Sequence, residues 1–174
     1  PLGAKASWPA ALRTTVGLML SSQFPMFLAW GPHRIFIYND AYRDVLGKKH
    51  PSALGMPFQQ AWSEIWDAVG PIADRAFAGQ PSYFENLPIQ MERYGYPELT
   101  YFTFSYSGVP GDDGSIEGMF CVCQETTGAV NAEMSTAPAS AVPMDAPRFV
   151  SVFCSPPTSP LCSSGTADTV TLPS

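Results

Sequence analysis

Basic residues are scarce in this 174-residue sequence: 9 Lys and Arg stand against 15 Asp and Glu, giving a formal net charge of −6 and a pI near 4.7. A nucleic-acid partner gripped through its phosphates needs a basic face, so no such partner is expected. Cysteine is scarce too. All 4 lie at or beyond Cys121, too few and too badly placed for a disulfide scaffold. Long apolar runs are missing. The most hydrophobic early stretch, 16–30, is broken by Ser21, Ser22, Gln23 and Pro25, short of the roughly 20 residues a membrane span needs, so no membrane insertion is expected. No basic segment leads an unbroken apolar one toward a small-residue cleavage site, so no secretory signal is read and a cytoplasmic location is expected. Pro1 stands where a Met would start a chain, and the sequence is read as an excerpt or a processed product.

What is present suffices for one core. Hydrophobic residues make up 45% and aromatics 13% of the chain, enough for a single domain with an appendage. Composition shifts near Gly128: residues 1–130 hold 8 of the 9 basic residues, 12 of the 15 acidic ones and all 4 tryptophans. From Asn131 onward Pro, Ser, Thr and Ala dominate. Such a segment buries too little apolar surface to offset its chain entropy, and 131–174 is expected to be disordered.

Periodicity supplies the elements of the first part. Ser7 is placed to cap a helix that carries Pro9 in its first turn, with Trp8, Leu12, Val16 and Met19 on one face. Met26–Trp30 and Ile35–Tyr38 read as strands joined by a hairpin at Gly31-Pro32-His33-Arg34. A helix is expected from Asp40 to Gly47. A long one is expected over 60–78, with apolar Trp62, Ile65, Trp66, Val69, Ile72, Ala76 and Phe77 at steps of three or four and Pro71 as its point of kink or division. Segments 83–93, 99–109 and 115–125 read as three further strands, the last two joined by a turn at 110–114. Strands adjacent in sequence with tight turns, plus grouped helices, predict an α+β domain with an antiparallel sheet.

That order resembles the PAS domain, and local motifs agree. Asn39, Ala41, Leu46 and Gly47 follow the family pattern N-x-A-x-x-x-x-L-G after the second strand; an Asn at such a corner bonds turn backbone, a small Ala admits the helix and a Gly ends it. Gly114 and Gly118 stand at a similar closing hairpin, and Glu125-Thr126-Thr127 stands where Asp-Ile-Thr is usual. Over 8–127 the sequence is most similar to the sensory PAS modules of bacterial PAS-type and hybrid histidine kinases, through Trp8-Pro9, Phe24-Pro25-Met26, Tyr38 to Tyr42, Gly47 to Gly55 and Gly118 to Cys121. The resemblance implies a five-stranded antiparallel sheet with flanking short helices and an N-terminal amphipathic helix. It divides the chain into a helical cap over 1–23, a PAS domain over 24–130 and the tail. It also implies an input module of a two-component signalling protein, passing a ligand, redox or partner signal to a histidine-kinase transmitter or adjacent PAS modules through homodimer packing; a ligand-free dimerisation and spacing module is the alternative. Family members run from the Glu-Thr-Thr equivalent into a charged signalling helix, whereas 131–174 carries almost no charge. Read two bases later, with permissive codons, 148–162 yields a segment resembling the opening of a second PAS module. A displaced reading frame therefore stands beside a natural tail.

Catalysis finds no support in this pattern. No kinase core, Gly-x-Ser-x-Gly elbow, Gly-rich phosphate loop or paired carboxylate is present. Haem needs an axial ligand, and the only histidines, His33 and His50, fall in turns. The flavin adduct of light-sensing relatives needs a helical cysteine ahead of Cys121. No cofactor and no metal site are expected, and a small ligand stays open. Cys121 and Cys123 share one face of a strand as buried thiols. Trp30, Phe36, Tyr38, Tyr42, Trp62, Trp66, Phe77, Phe84, Phe102, Phe104 and Tyr106, with Met119 and Cys121, either line an apolar ligand pocket or fill a solid core. Trp8, Leu12, Val16 and Met19 either form a dimer seam or cap their own sheet.

Overall fold

Two short apolar strands open the sheet. In the computed structural model, which describes residues 2–136, β1 (Met26–Trp30) and β2 (Ile35–Tyr38) pair antiparallel with Phe27 opposite Tyr38. β3 (Ser82–Met91), β4 (Glu98–Pro110) and β5 (Ile116–Glu125) complete a five-stranded antiparallel sheet of order β2-β1-β5-β4-β3. The expected α+β class and sheet are therefore what forms. Of the tail expectation, only 131–136 falls among the described residues, and there the chain is helical: α5 spans Thr127–Thr136. The rest of that expectation lies outside the described residues.

Alternation along β1 sorts the side chains onto two faces. Phe27 and Ala29 join the main core with Phe104, Tyr106, Met119 and Cys121, beneath α2 (Arg43–Leu46), α3 (Phe58–Ala61) and α4 (Trp66–Phe77). Leu28 and Trp30 point the other way, where Leu12, Val16 and Met19 of α1 (Ala10–Ser21) bury against them. Gly118 makes room for Trp30, since a Cβ there would lie 2.5 Å from the Trp30 ring.

The long helix expected over 60–78 is two helices, divided at Trp62 rather than Pro71. Trp62 leaves the helical region (φ −124°, ψ 40°), which sends its ring into the core. The Lys49 ammonium then donates to the freed Ala61 carbonyl at 2.8 Å. Pro71 is absorbed within α4; it forfeits one backbone bond, and the packing of Val69, Ala73 and Ala76 offsets that loss. The start of α1 also differs from expectation. Ser7 closes a short turn on the Ala4 carbonyl, and the helix is instead capped from a distance: the Asp112 carboxylate, in the β4–β5 turn, accepts from Ala10 N and Ala11 N at 3.1 Å each.

Asn39 holds the other end of α1. Its amide nitrogen donates to the carbonyls of Met19, Ser22 and Phe24 at 3.1, 3.2 and 2.8 Å. Its Oδ1 accepts from Met26 N and Tyr42 N. One buried side chain thereby satisfies backbone groups of the α1 terminus, the β1 start and the turn into α2. Replacing Asn39 with Ala should cost about 3 kcal/mol or more in urea unfolding, because several buried groups lose partners at once. Asp112→Ala should cost about 1 kcal/mol, the value of a single helix cap. Equal effects would contradict this ranking.

Candidate functional site

The pocket residues expected from the sequence separate into three groups. Tyr42, Trp62, Phe102, Phe104, Tyr106 and Cys121 line one small space between sheet and helices. Phe36, Tyr38 and Met119 are buried in the same core but off that space, and Trp66, Phe77 and Phe84 pack half-buried at its margin. Trp30 lies on the opposite face, under α1. The alternation of β1 already places it there, opposite in sense to Phe27. Phe27, Phe58 and Cys123 also line the space; Phe27 and Cys123 show a sequence signal, lying on the inward parity of β1 and β5.

The space measures about 30 Å³, room for one or two water molecules. Its walls interlock. Phe27 makes edge contacts with Phe36, Tyr42 and Tyr106 at centroid distances of 5.1, 5.3 and 5.7 Å, geometries that aromatic rings favour. Neither a haem nor a flavin ring fits this volume. His33 is exposed on the β1–β2 turn, and the His50 ring hydrogen-bonds the Tyr38 hydroxyl at 3.0 Å outside the cavity, so neither is placed to ligate within it. Among the described residues no group of three or more His, Cys, Asp or Glu converges on a metal position.

Cys121 and Cys123 point inward from β5, both free and buried. Cys123 Sγ donates to the Pro25 carbonyl at 3.7 Å. Burial, followed by the neighbouring Cys123, pushes the Cys121 thiol well above its ordinary pKa. Burial acts likewise on the Tyr42 and Tyr106 hydroxyls. The chamber is thus lined by neutral groups.

A charged node sits where the domain leads into α5. The Arg93 guanidinium, 7% exposed, is bidentate to Glu125 (2.7 and 3.0 Å) and donates from Nε to Glu98 at 2.8 Å. Its Nη1 also reaches the Asp44 carbonyl of α2 at 3.4 Å. Thr127, the first residue of α5, donates to Glu125 at 2.9 Å and accepts from Tyr101 N at 3.0 Å. Burial alone would lower the Arg93 pKa, but the two carboxylates outweigh it and raise it. Burial alone would raise that of Glu125; hydrogen bonds from Arg93 and Thr127, with the Arg93 charge, outweigh it and lower it. The Glu125-Thr126-Thr127 motif therefore works as a polar joint, and its partner Arg93 is a residue the sequence pattern did not single out.

Leu12, Val16 and Met19 take the second of their two expected roles. They are buried against their own sheet with Trp8 half-buried beside them. The outer side of α1 carries Thr14, Gly17 and Ser21, flanked by Leu18 and Leu20 at 66% and 60% exposed. No described helix is long and apolar enough to cross a membrane.

No protein-family model matches the chain, and no curated protein matches it. Solved structures do. A PAS domain of a protein from Colwellia psychrerythraea aligns with a TM-score of 0.50 at 11% identity, covering 67% of this chain and 98% of that one. A LOV protein from Rhodobacter sphaeroides gives 0.51 at 15% identity, over 72% and 75%. Phage VqmA in complex with DPO gives 0.50 at 14% identity, over 72% of this chain but only 57% of that one. The chain has the PAS fold.

Two outcomes follow from the geometry. Because the native pKa of Glu125 is depressed, its stabilising contribution is present above the ordinary value of about 4.5 and is lost as pH falls through the lower native value. The difference in unfolding free energy between the natural chain and Glu125→Gln should therefore shrink on acidification below pH 4.5; a pH-independent difference would contradict the joint. With Cys154→Ser and Cys162→Ser in place, Cys121 and Cys123 should react with an aromatic disulfide reagent at least roughly a hundredfold more slowly in the native chain than in urea. Fast native labelling would mean that the core opens readily.

Proposed function

We propose that this chain is a sensory input module of a bacterial two-component signalling protein of the sensor histidine kinase kind, working in the cytoplasm as a homodimer. The Arg93 joint carries the reading. It ties α2, the β3–β4 hairpin and the end of β5 to the first residue of α5, so a change in core or dimer packing alters the root of that helix. Such a relay responds to a stimulus that prefers one of two packings. Phage VqmA, which aligns with this fold, forms a complex with DPO, which supports a bound partner as one form of stimulus. Catalysis would belong to the transmitter or the adjacent modules that this domain serves.

The filled core favours a second reading, a ligand-free dimerisation and spacing module. A cavity of about 30 Å³ admits no organic ligand without repacking of its aromatic walls. Both readings require a dimer, and the outer side of α1 suits one. Thr14, Gly17 and Ser21 are small enough for a second helix to approach closely, and Leu18 and Leu20 supply apolar flanks.

Native mass spectrometry of the full chain tests both. A dimer that Leu18→Asp with Leu20→Asp converts to a folded monomer is the expected result, since both leucines are exposed and the fold does not need them. A small molecule retained with the dimer supports the sensor; a clean apo dimer supports the spacer. A monomeric natural chain would contradict both, and a dimer that survives the double substitution would remove the α1 seam.

A further inference from the structure

Outside the core, a second depression opens beside the Arg93 joint. It is a groove of about 480 Å³ walled by the 40–50 segment on one side and Tyr94 on the other. Arg43 and Lys48 bring cations to it, Asp40 and Asp44 bring carboxylates, and His50 adds an imidazole whose Nδ1 is engaged by Tyr38. Among the described residues, no hydrogen bond or ion pair engages the Arg43 guanidinium or the Asp40 and Asp44 carboxylates. Two free carboxylates and one free guanidinium thus face a shared space without pairing with one another.

The walls of the groove are fixed. Gly47 adopts φ 55°, and a Cβ there would lie 3.0 Å from both the Arg93 carbonyl and the Tyr94 ring, so the chain closes on Tyr94 only because residue 47 is glycine. Lys48 N donates to the Arg93 carbonyl and Lys48 Nζ to the Tyr94 carbonyl. Tyr94 stacks on Tyr96 at 6.4 Å, with the Arg93 guanidinium 5.4 Å from its ring centroid. The aromatic wall is held by the same residue that holds Glu125.

We propose that this groove binds a small zwitterion, of the class of free aromatic α-amino acids. A simple anion would meet two carboxylates and a chain of net charge −6; a simple cation would meet Arg43 and Lys48. A molecule with a carboxylate and an ammonium on one carbon satisfies both sets: the carboxylate on the Arg43 fork, whose planar donors suit it, and the ammonium between Asp40 and Asp44. A ring on the ligand lies against Tyr94. Because Asp44 and Tyr94 both adjoin Arg93, occupancy bears directly on the joint at Glu125 and Thr127. This supplies a stimulus for the relay proposed above, and only its coupling part rests on that reading.

The test is a titration of the isotopically labelled full chain with L-phenylalanine, followed by backbone resonances. L-Phenylalaninamide and 3-phenylpropionate serve as probes lacking one charge each. Saturable shifts at Arg43, Lys48, His50 and Tyr94 are expected, with weaker ones at Glu125 and Thr127. Removing either charge of the probe, or introducing Arg43→Gln or Asp44→Asn, should weaken binding at least tenfold; both residues are exposed, so the fold persists. No saturable shift overturns the proposal, as does equal binding of 3-phenylpropionate, or shifts centred on Phe104, Tyr106 and Cys121 in the core. Groove shifts without any response at Glu125 or Thr127 support the site and count against the relay, whereas a failed site leaves the dimer measurement to judge the relay.

Discussion

A guanidinium taken almost entirely out of water has to find its partners close by, and Arg93 finds them on three separate elements. Glu98 belongs to its own hairpin, Glu125 to the central strand, and the Asp44 carbonyl to a helix on the core face. Such a pair adds little net stability, since desolvation offsets most of the attraction. What it fixes is geometry. The ends of β3, β4 and β5 and the start of α5 share one charged centre, and Thr127 hangs from Glu125 by a single hydroxyl. Loosening any one element leaves charge to be rehydrated at that point. The start of α5 is thereby fastened to the same centre as the strand ends.

The aromatic core beside this centre is closely packed. Rings of Phe27, Phe36, Phe58, Tyr42 and Tyr106 meet edge to face or tilted, leaving about 30 Å³ unfilled. A close-packed interior transmits displacement rather than absorbing it. At the opposite end Asn39 ties α1 to the β1 start and to the turn into α2, with Asp112 as a second fastening. The first and last helices, α1 and α5, are thus each pinned by a polar node, with a dense apolar body between.

Much of this was legible in the sequence, because period and turn chemistry are local. β1 and β2 fall on the expected residues, and the three later strands differ from expectation only at their ends. Asn39, Ala41 and Gly47 sit at the corner that their pattern implied. The failures are all non-local. Trp62 breaks a helix that Pro71 was expected to break, because its ring is drawn into the core while Lys49 takes over the freed carbonyl. Ser7 yields its cap to Asp112, about a hundred positions away in sequence. Trp30 was grouped with the pocket by composition although the alternation of β1 turns it toward α1. Arg93 carried no local signal, since a lone arginine in a hairpin reads as solvated until its two carboxylates are folded against it.

Hydrogen exchange on the full chain, natural and Arg93→Met, tests the joint most directly. If Arg93 couples the body of the domain to its exit, the substitution should speed exchange at Tyr101 and through α5 at least tenfold. Amides of β1, β5 and α4 should stay protected, because methionine fills the space while the carboxylates, part exposed, regain water. Unchanged α5 exchange would contradict the account, showing that the helix is held by something other than this charged centre. So would uniform loosening of the whole domain, which would make Arg93 a general stabiliser and not a joint.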